Sequence, residues 1–274
     1  MIPNSKYRKV LYIIGILLIL CIVNISSIFI YNSVVNSTDN QKSCNVIGIE
    51  LRGDISTYIP TDQEETRIEG YEDAISSEEI VYYLSDAEQD NGIKAILIEV
   101  DSYGGYPVAG EEIAFKIKSS TKPVVAFIRG SGLSAAYWAI SSSDQIFASR
   151  NSEVGSIGVT MSYLDNVKKN EKEGLTFVPI SVGKYKDAGN PDKSLTEEEK
   201  SIFMRDTKIM HENFIEDVSV NRNIPIEKVR LFADGSSVLG NRAKELGLID
   251  EIGGYDDAVD YIKEIIKEEV SVCW

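Results

Sequence analysis

Histidine is almost missing from this chain: one residue, His211, in 274. Any serine nucleophile served by an imidazole would have to use it. It lies in TKIMHENFIEDV, a stretch of helical periodicity with no partner motif around it, and a lone histidine on a helix reads first as a structural residue. Cysteine is nearly as scarce. Cys21, Cys44 and Cys273 are too few and too scattered for a disulfide framework or a zinc site, and a Cys44–Cys273 bridge is one pairing that the sequence leaves open. Basic residues are outnumbered, 28 against 43 acids, for a net charge of -15. Lys6, Arg8 and Lys9 fall in the first ten residues, which hold no acid, so the remainder is more acidic still. Such a surface repels phosphate backbones, and nucleic acid is excluded as a partner. Internal repeats and low-complexity segments are also lacking.

What is present begins with an apolar run. Val10 to Ile30 is 21 residues without a charge, long enough to cross a hydrocarbon core of about 30 Å as a helix. Tyr7, Tyr12 and Tyr31 stand near its ends, where amphipathic rings favour the interface. The bases precede the run, so the expected orientation puts residues 1–9 in the cytoplasm, a membrane anchor at 10–31, a polar linker at 32–44 and an extracytoplasmic domain at 45–274. A cleaved signal peptide is the competing reading. The run exceeds the usual apolar core of roughly 7–15 residues and no small-residue cleavage site follows, which favours an uncleaved anchor.

Beyond the linker, strand and helix patterns alternate. NVIGIEL (45–51), IKAILIEV (93–100), PVVAFI (123–128), QIFAS and TFVPISV (176–182) read as strands, and residues 52–71 as an acidic loop. SSEEIVYYLSDAEQD, PVAGEEIAFKIKSS and SAAYWAISSS read as helices between them, followed by a long amphipathic helix over 195–221 and three further helical stretches. Alternation with helices of this length implies βα crossovers and an α/β fold.

Small-residue turns follow three of these strands. DSYGGYP (101–107) pairs Gly104 with Gly105, which permits a tight turn and leaves N–H groups uncovered, an arrangement able to hold an oxyanion. RGSGLSAAYW (129–138) places Ser134 where a helix starts. Alone, a serine there reads as an N-cap or as a small residue that allows close packing. The sharper alternative is a nucleophile beside unpaired helix N–H groups. NSEVGSIGVTM (151–161) sets Ser156 between Gly155 and Gly158. With histidine nearly absent, the base left for a serine is lysine, whose pKa must first be lowered by burial or a nearby cation. SVGKYKDAGNP (181–191) offers Lys184 and Lys186, and their spacing of two does not choose between them.

These motifs, in this order, resemble the signal peptide peptidase A family of membrane-anchored serine peptidases. The five are the DS-x-GG turn, the Ser134 helix start, GSIGV, GKYKD and the AKELGLIDEIGG segment near the C-terminus. The resemblance covers roughly residues 45–266. It implies a ClpP/crotonase-like fold of stacked ββα units, preceded by one N-terminal transmembrane helix. It implies Ser134 as nucleophile, Lys186 as general base with Lys184 as runner-up, and Ser156 as the hydroxyl that orients the lysine. Gly104 or Gly105, with the amide of Ala135, matches the oxyanion hole. No metal or cofactor is called for. The implied partners are peptides, namely remnant signal peptides and membrane-proximal segments, and further copies of the chain in a ring whose active sites are shared between protomers. Two departures stand out. Tyr103 replaces the family's usual proline, and SAA (134–136) replaces Ser-Gly-Gly, which keeps the N–H groups while adding methyls that narrow the cleft. Two other classes remain as alternatives: a catalytically silent membrane-bound scaffold of the same fold, and a crotonase-like acyl-CoA enzyme.

Overall fold

A computed structural model describes residues 44–60 and 74–274; the predicted anchor and most of the linker lie outside these residues. Among the described residues no helix is long and apolar enough to cross a membrane.

The frame is a largely parallel sheet built from the strands with the densest apolar runs. β1 (Val46–Ser56), β3 (Ala95–Gly105), β4 (Val124–Leu133) and β5 (Gln145–Ala148) lie side by side and parallel. Short β2 (Ala74–Ser76) flanks β1 and β8 (Glu251–Ile252) flanks β5. β6 (Glu153–Gly155) pairs with the end of β4 and, antiparallel, with β7 (Ser237–Leu239). β9 (Val272–Cys273) returns to the start of β1. Residues 95–98 and 124–126 are almost wholly buried, as a parallel strand must be when helices cover both of its faces. One acid lies in this core. Glu99 is 9% exposed and is held by Arg52 at 2.6 Å from β1 and Arg129 at 3.1 Å from β4, so its charge is compensated by two neighbouring strands.

The crossover helices are those the sequence predicts: α1 (Ser77–Gln89), capped by Ser76, and α2 (Pro107–Lys118), with proline in its first turn. α3 (Ala135–Ile140) is one and a half turns and entirely buried. α4 (Val167–Glu173), α5 (Glu197–Asn221), α6 (Ile226–Arg230), α7 (Gly240–Leu246) and α8 (Tyr255–Ile266) complete the unit. α5 opens on a capping box in which the Thr196 hydroxyl accepts from the Glu199 N–H at 3.2 Å and Glu199 reaches back to the Thr196 N–H. Its Phe214 stacks on Trp138 of α3 with ring centroids 4.5 Å apart, which ties the long helix to the short one.

Two expectations are corrected. β1 does not stop at Leu51 but runs to Ser56. Gly53, at φ 68°, absorbs a bulge between Arg52 and Asp54 and lets the strand continue into residues whose acidity reads as loop. The segment 176–182 is not a strand. Its apolar side chains have no sheet edge to join among the described residues, and Pro179 lacks the N–H a ladder needs. Val178, Ile180 and Val182 are 70, 95 and 97% exposed.

Candidate active site

Ser134 stands at the step from β4 into α3. It occupies the N-cap position, yet its side chain makes no capping hydrogen bond. The hydroxyl is therefore not used in the way that would make this an ordinary helix start. The backbone there has φ 52° and ψ -125°, a conformation that costs a residue with a Cβ about 1–3 kcal/mol. The neighbours enforce it. The Ser134 N–H donates to the Gly155 carbonyl at 2.8 Å, and β4 and β6 are in register up to Leu133 and Gly155.

Ser156, the next residue after that pairing, is also at positive φ, 51°. The other described residues with a Cβ at positive φ are Asn223 and Lys267, both at helix C-termini where such geometry is ordinary. The Ser156 hydroxyl donates to the Gly235 carbonyl at 3.0 Å. Gly158 packs so close to Gly235 that a Cβ would lie 2.9 Å from its Cα. Ser156 is thus pinned between the β6 turn and the loop before β7.

The two glycines of the DSYGG turn differ in function. Gly104, at φ 108°, brings the β3 end against Ser134. A Cβ there would sit 2.7 Å from Ser134 Cβ and 3.0 Å from the Ala135 nitrogen. Its own N–H is engaged, donating to Ser102 Oγ at 3.0 Å. Gly105 lines the cleft beside Ser134, and a Cβ on it would collide with the Ile55 carbonyl at 2.0 Å. The Ala135 N–H is the first of α3 and has no acceptor within its own helix. Gly110 of α2 lets that helix pass at the Ala135 backbone, where a Cβ would lie 2.6 Å from the carbonyl oxygen.

These residues open onto a cleft of about 370 Å³ that brings together Gly105, Ser134, Ser156, Thr160, His211 and Asp234. Neither lysine is among its lining residues. Lys184 is two-thirds exposed and donates to Glu198 at 2.5 Å; that hydrogen bond and one it donates to Tyr185 raise its pKa. Lys186 is exposed in the turn-rich loop after Gly183, where its backbone N–H donates to the Gly183 carbonyl at 3.1 Å, and no ion pair among the described residues involves it. One chain therefore assembles the serine, its glycine turn and Ser156, and holds both lysines elsewhere. His211 is the residue that sequence reasoning missed. Its helical periodicity was legible, but that its side chain meets the Ser134 cleft follows only from the packing of α5 on α3. A Ser–His–Asp triad is not formed around it. Glu212, its neighbour in sequence, is paired with Arg230 at 2.7 Å. The Asp234 carboxylate accepts from Ser236, an interaction that lowers its pKa.

The model of peptidase family S49 matches residues 116–269, more than half of the chain and all of the segment from α3 to α8. A protein of Methanocaldococcus jannaschii provisionally named a protease is 35% identical over 184 residues, covering 66% of this chain and 59% of that protein. A protein of Enterococcus faecium provisionally named signal peptide peptidase SppA is 34% identical over 184 residues, 66% of this chain and 54% of the relative. The chloroplastic serine protease SPPA of Arabidopsis thaliana is 29% identical over 194 residues, 70% of this chain and 29% of that one. The chain thus spans little more than half the length of the first two of these curated relatives. Among solved structures, the 1510-N membrane-bound stomatin-specific protease superposes with a TM-score of 0.50 at 17% identity, over 78% of this chain and 83% of that one, a likeness of fold. With the Ser134 step and Ser156 both inside the S49 match, this chain belongs to peptidase family S49, alongside the signal peptide peptidase A proteins.

Proposed function

We propose that this protein is a membrane-anchored serine endopeptidase that hydrolyses peptide bonds with a Ser134–Lys186 dyad. The observation that carries the proposal is the Ser134 hydroxyl, unspent on capping and held at positive φ in a cleft shared with Gly105 and Ser156. Neutral Lys186 takes the proton from Ser134 Oγ. The oxygen attacks the scissile carbonyl, and the N–H groups of Ala135 and Gly105 receive the oxyanion, with Gly104 shaping the approach. Collapse of the tetrahedral intermediate expels the amine, protonated by Lys186, and leaves an acyl-enzyme. Lys186 then takes a proton from water, whose oxygen attacks the acyl carbon; the bond from that carbon to Ser134 Oγ breaks, Oγ takes the proton back from Lys186, and the acid is released. Ser156 orients the lysine. No step calls for a metal or an organic cofactor.

Lys186 is favoured over Lys184 because it stands directly after Tyr185, where the family's motif has its base, and because Lys184 is already tied to Glu198 within its own chain. Since Lys186 lies off its own chain's cleft, it serves the Ser134 of a neighbouring protomer in a homo-oligomeric ring. The exposed apolar segment 176–182, directly before the lysines, supports such an assembly. Remnant signal peptides and membrane-proximal segments are the proposed substrates. The uncharged run Val10–Ile30 behind a basic N-terminus supports a single-pass anchor with the peptidase outside the cytoplasm. The disulfide-bonded state of Cys44 and Cys273 accords with an oxidising compartment.

The test is mass spectrometry of the full chain after treatment with a fluorophosphonate. The expected result is one adduct on Ser134, lost in Ser134→Ala and strongly reduced in Lys186→Ala. No adduct from an assembled, folded oligomer would overturn the proposal in favour of a silent scaffold.

A further inference from the structure

Just before its glycine turn, β3 falls out of register with both neighbouring strands. On the β4 side the pairing passes from Val100 opposite Ile128 to Ser102 opposite Gly132; on the β1 side it passes from Asp101 opposite Arg52 to Gly104 opposite Asp54. Side chains bridge both interruptions. Toward β4, the Asp101 carboxylate accepts from the Ser131 N–H at 3.0 Å. Toward β1, Ser102 does the bridging. It is 1% exposed; its hydroxyl donates to the Gly53 carbonyl at 2.6 Å and accepts from the Gly104 N–H at 3.0 Å. Both ends of this bridge are glycines at positive φ, Gly53 at 68° and Gly104 at 108°. A glycine backbone offers little steric resistance to rotation, so the hydroxyl is what holds the two in step.

The next N–H along is the one that matters to the cleft. The Tyr106 N–H donates to the Ile55 carbonyl at 2.8 Å, toward β1. Successive N–H groups of a strand point to opposite sides, so that of Gly105 points to the side of β4 and Ser134. We infer that Ser102 is a positioning residue: by fixing Gly104 against the β1 bulge at Gly53, it aims the Gly105 N–H at the oxygen of the scissile carbonyl. Ser102 touches neither substrate nor the reacting atoms. The inference rests on the peptidase reading and adds to it the group that sets one of its two oxyanion donors. Without the hydroxyl, a buried N–H and a buried carbonyl both lose a partner, and the turn rotates to recover them.

The test uses the full chain in detergent and an internally quenched peptide cleaved by the wild type. Ser102→Ala is expected to lower kcat about 30-fold with KM within about two-fold, a smaller loss than the roughly 10²–10³-fold that follows outright removal of an oxyanion donor. Affinity for a peptide aldehyde, whose oxygen takes the oxyanion position once the carbon is bonded to Ser134, should fall by about the same factor. Affinity for the matching peptide alcohol, which forms no such adduct, should stay within about two-fold. Ser102→Thr keeps the hydroxyl and should recover kcat to within about three-fold of the wild type. Ser102→Cys, a weaker donor and acceptor, should fall between Thr and Ala; this Thr–Cys order carries the test where Ser102→Ala does not fold. A folded, oligomeric Ser102→Ala with wild-type kcat would overturn the inference alone. So would equal losses of aldehyde and alcohol affinity, because the hydroxyl would then support the whole cleft, and so would Thr and Cys variants no better than Ala. A wild-type chain that neither cleaves peptides nor labels at Ser134 would instead remove the peptidase reading, and this inference with it.

Discussion

The two halves of the proposed dyad lie in opposite kinds of structure. The serine half is made of core. Ser134 is clamped between β4, β6 and a fully buried α3, and glycines at 104, 105 and 110 bring neighbouring backbone to within contact. The lysine half is a surface excursion over residues 175–190 whose apolar side chains face solvent. On the proposed mechanism, one protomer pre-organises the nucleophile and its oxyanion donors, the part of catalysis most sensitive to position. The base is left on a segment that gains its environment only when something covers it.

Breaking the rigid half should have the largest effect. Ser134→Ala is expected to lower kcat/KM by at least about 10⁴-fold, measured with an internally quenched peptide cleaved by the wild type. Breaking the other half comes next. Lys186→Ala should cost about 10³-fold while Lys184→Ala costs little, the range expected for removal of a general base. If Lys184→Ala proved the more damaging, the base would be reassigned to Lys184. The comparison is sharpened by mixing the two inactive variants. Subunit exchange between Ser134→Ala and Lys186→Ala should restore part of the activity if protomers share sites, and none if each site is built from one chain.

A smaller effect is expected from Gly104→Ala. The added Cβ sits 2.7 Å from Ser134 Cβ at a φ of 108°, so the β3 turn must retreat from the nucleophile, and a displacement of that kind costs about 10²-fold in turnover. Labelling of Ser134 should slow in parallel. The smallest effect concerns the join between the loop and α5. Glu199 is held at a pKa of about 2 by Lys193 and by the Thr196 N–H, below its ordinary 4.5. A carboxylate depressed in this way contributes stability that is whole above about pH 4.5 and is lost as pH falls toward 2. Glu199→Gln should thus melt below the wild type at pH 6, with the gap closing on acidification. A gap that widened toward pH 3 would contradict this account of the cap.

Much of this molecule is legible in its residues, for reasons that differ from part to part. β3 and β4 announce themselves because a strand buried on both faces must be apolar throughout, and the crossover helices carry their own caps and apolar spacing. The glycine and serine turns are equally visible, because only small residues tolerate the close backbone approach measured at Gly104, Gly105 and Gly158. What escapes is whatever depends on a distant partner. The strands β6 to β9 are two or three residues long and exist because β4, β5 and β1 offer edges to β6, β8 and β9, and β6 in turn to β7. Residues 176–182 have the apolar, β-branched composition of a strand and no edge to meet. Ser134 looks like a cap, and only the geometry shows its hydroxyl unused. His211 looks like one more residue of an amphipathic helix until α5 is seen lying on α3.

The pairing of β9 with β1 bears on how the chain acquires this shape. The Ser271 N–H donates to the Asn45 side chain across 226 residues of sequence, and Val272 and Cys273 lie beside Val46 and Ile47. β1 is therefore completed by residues that follow it more than two hundred positions later. Closing so long a loop delays that contact. Until Val272 and Cys273 are made, this margin of the sheet stays open, and the serine side can pack before the seam along β1 is closed.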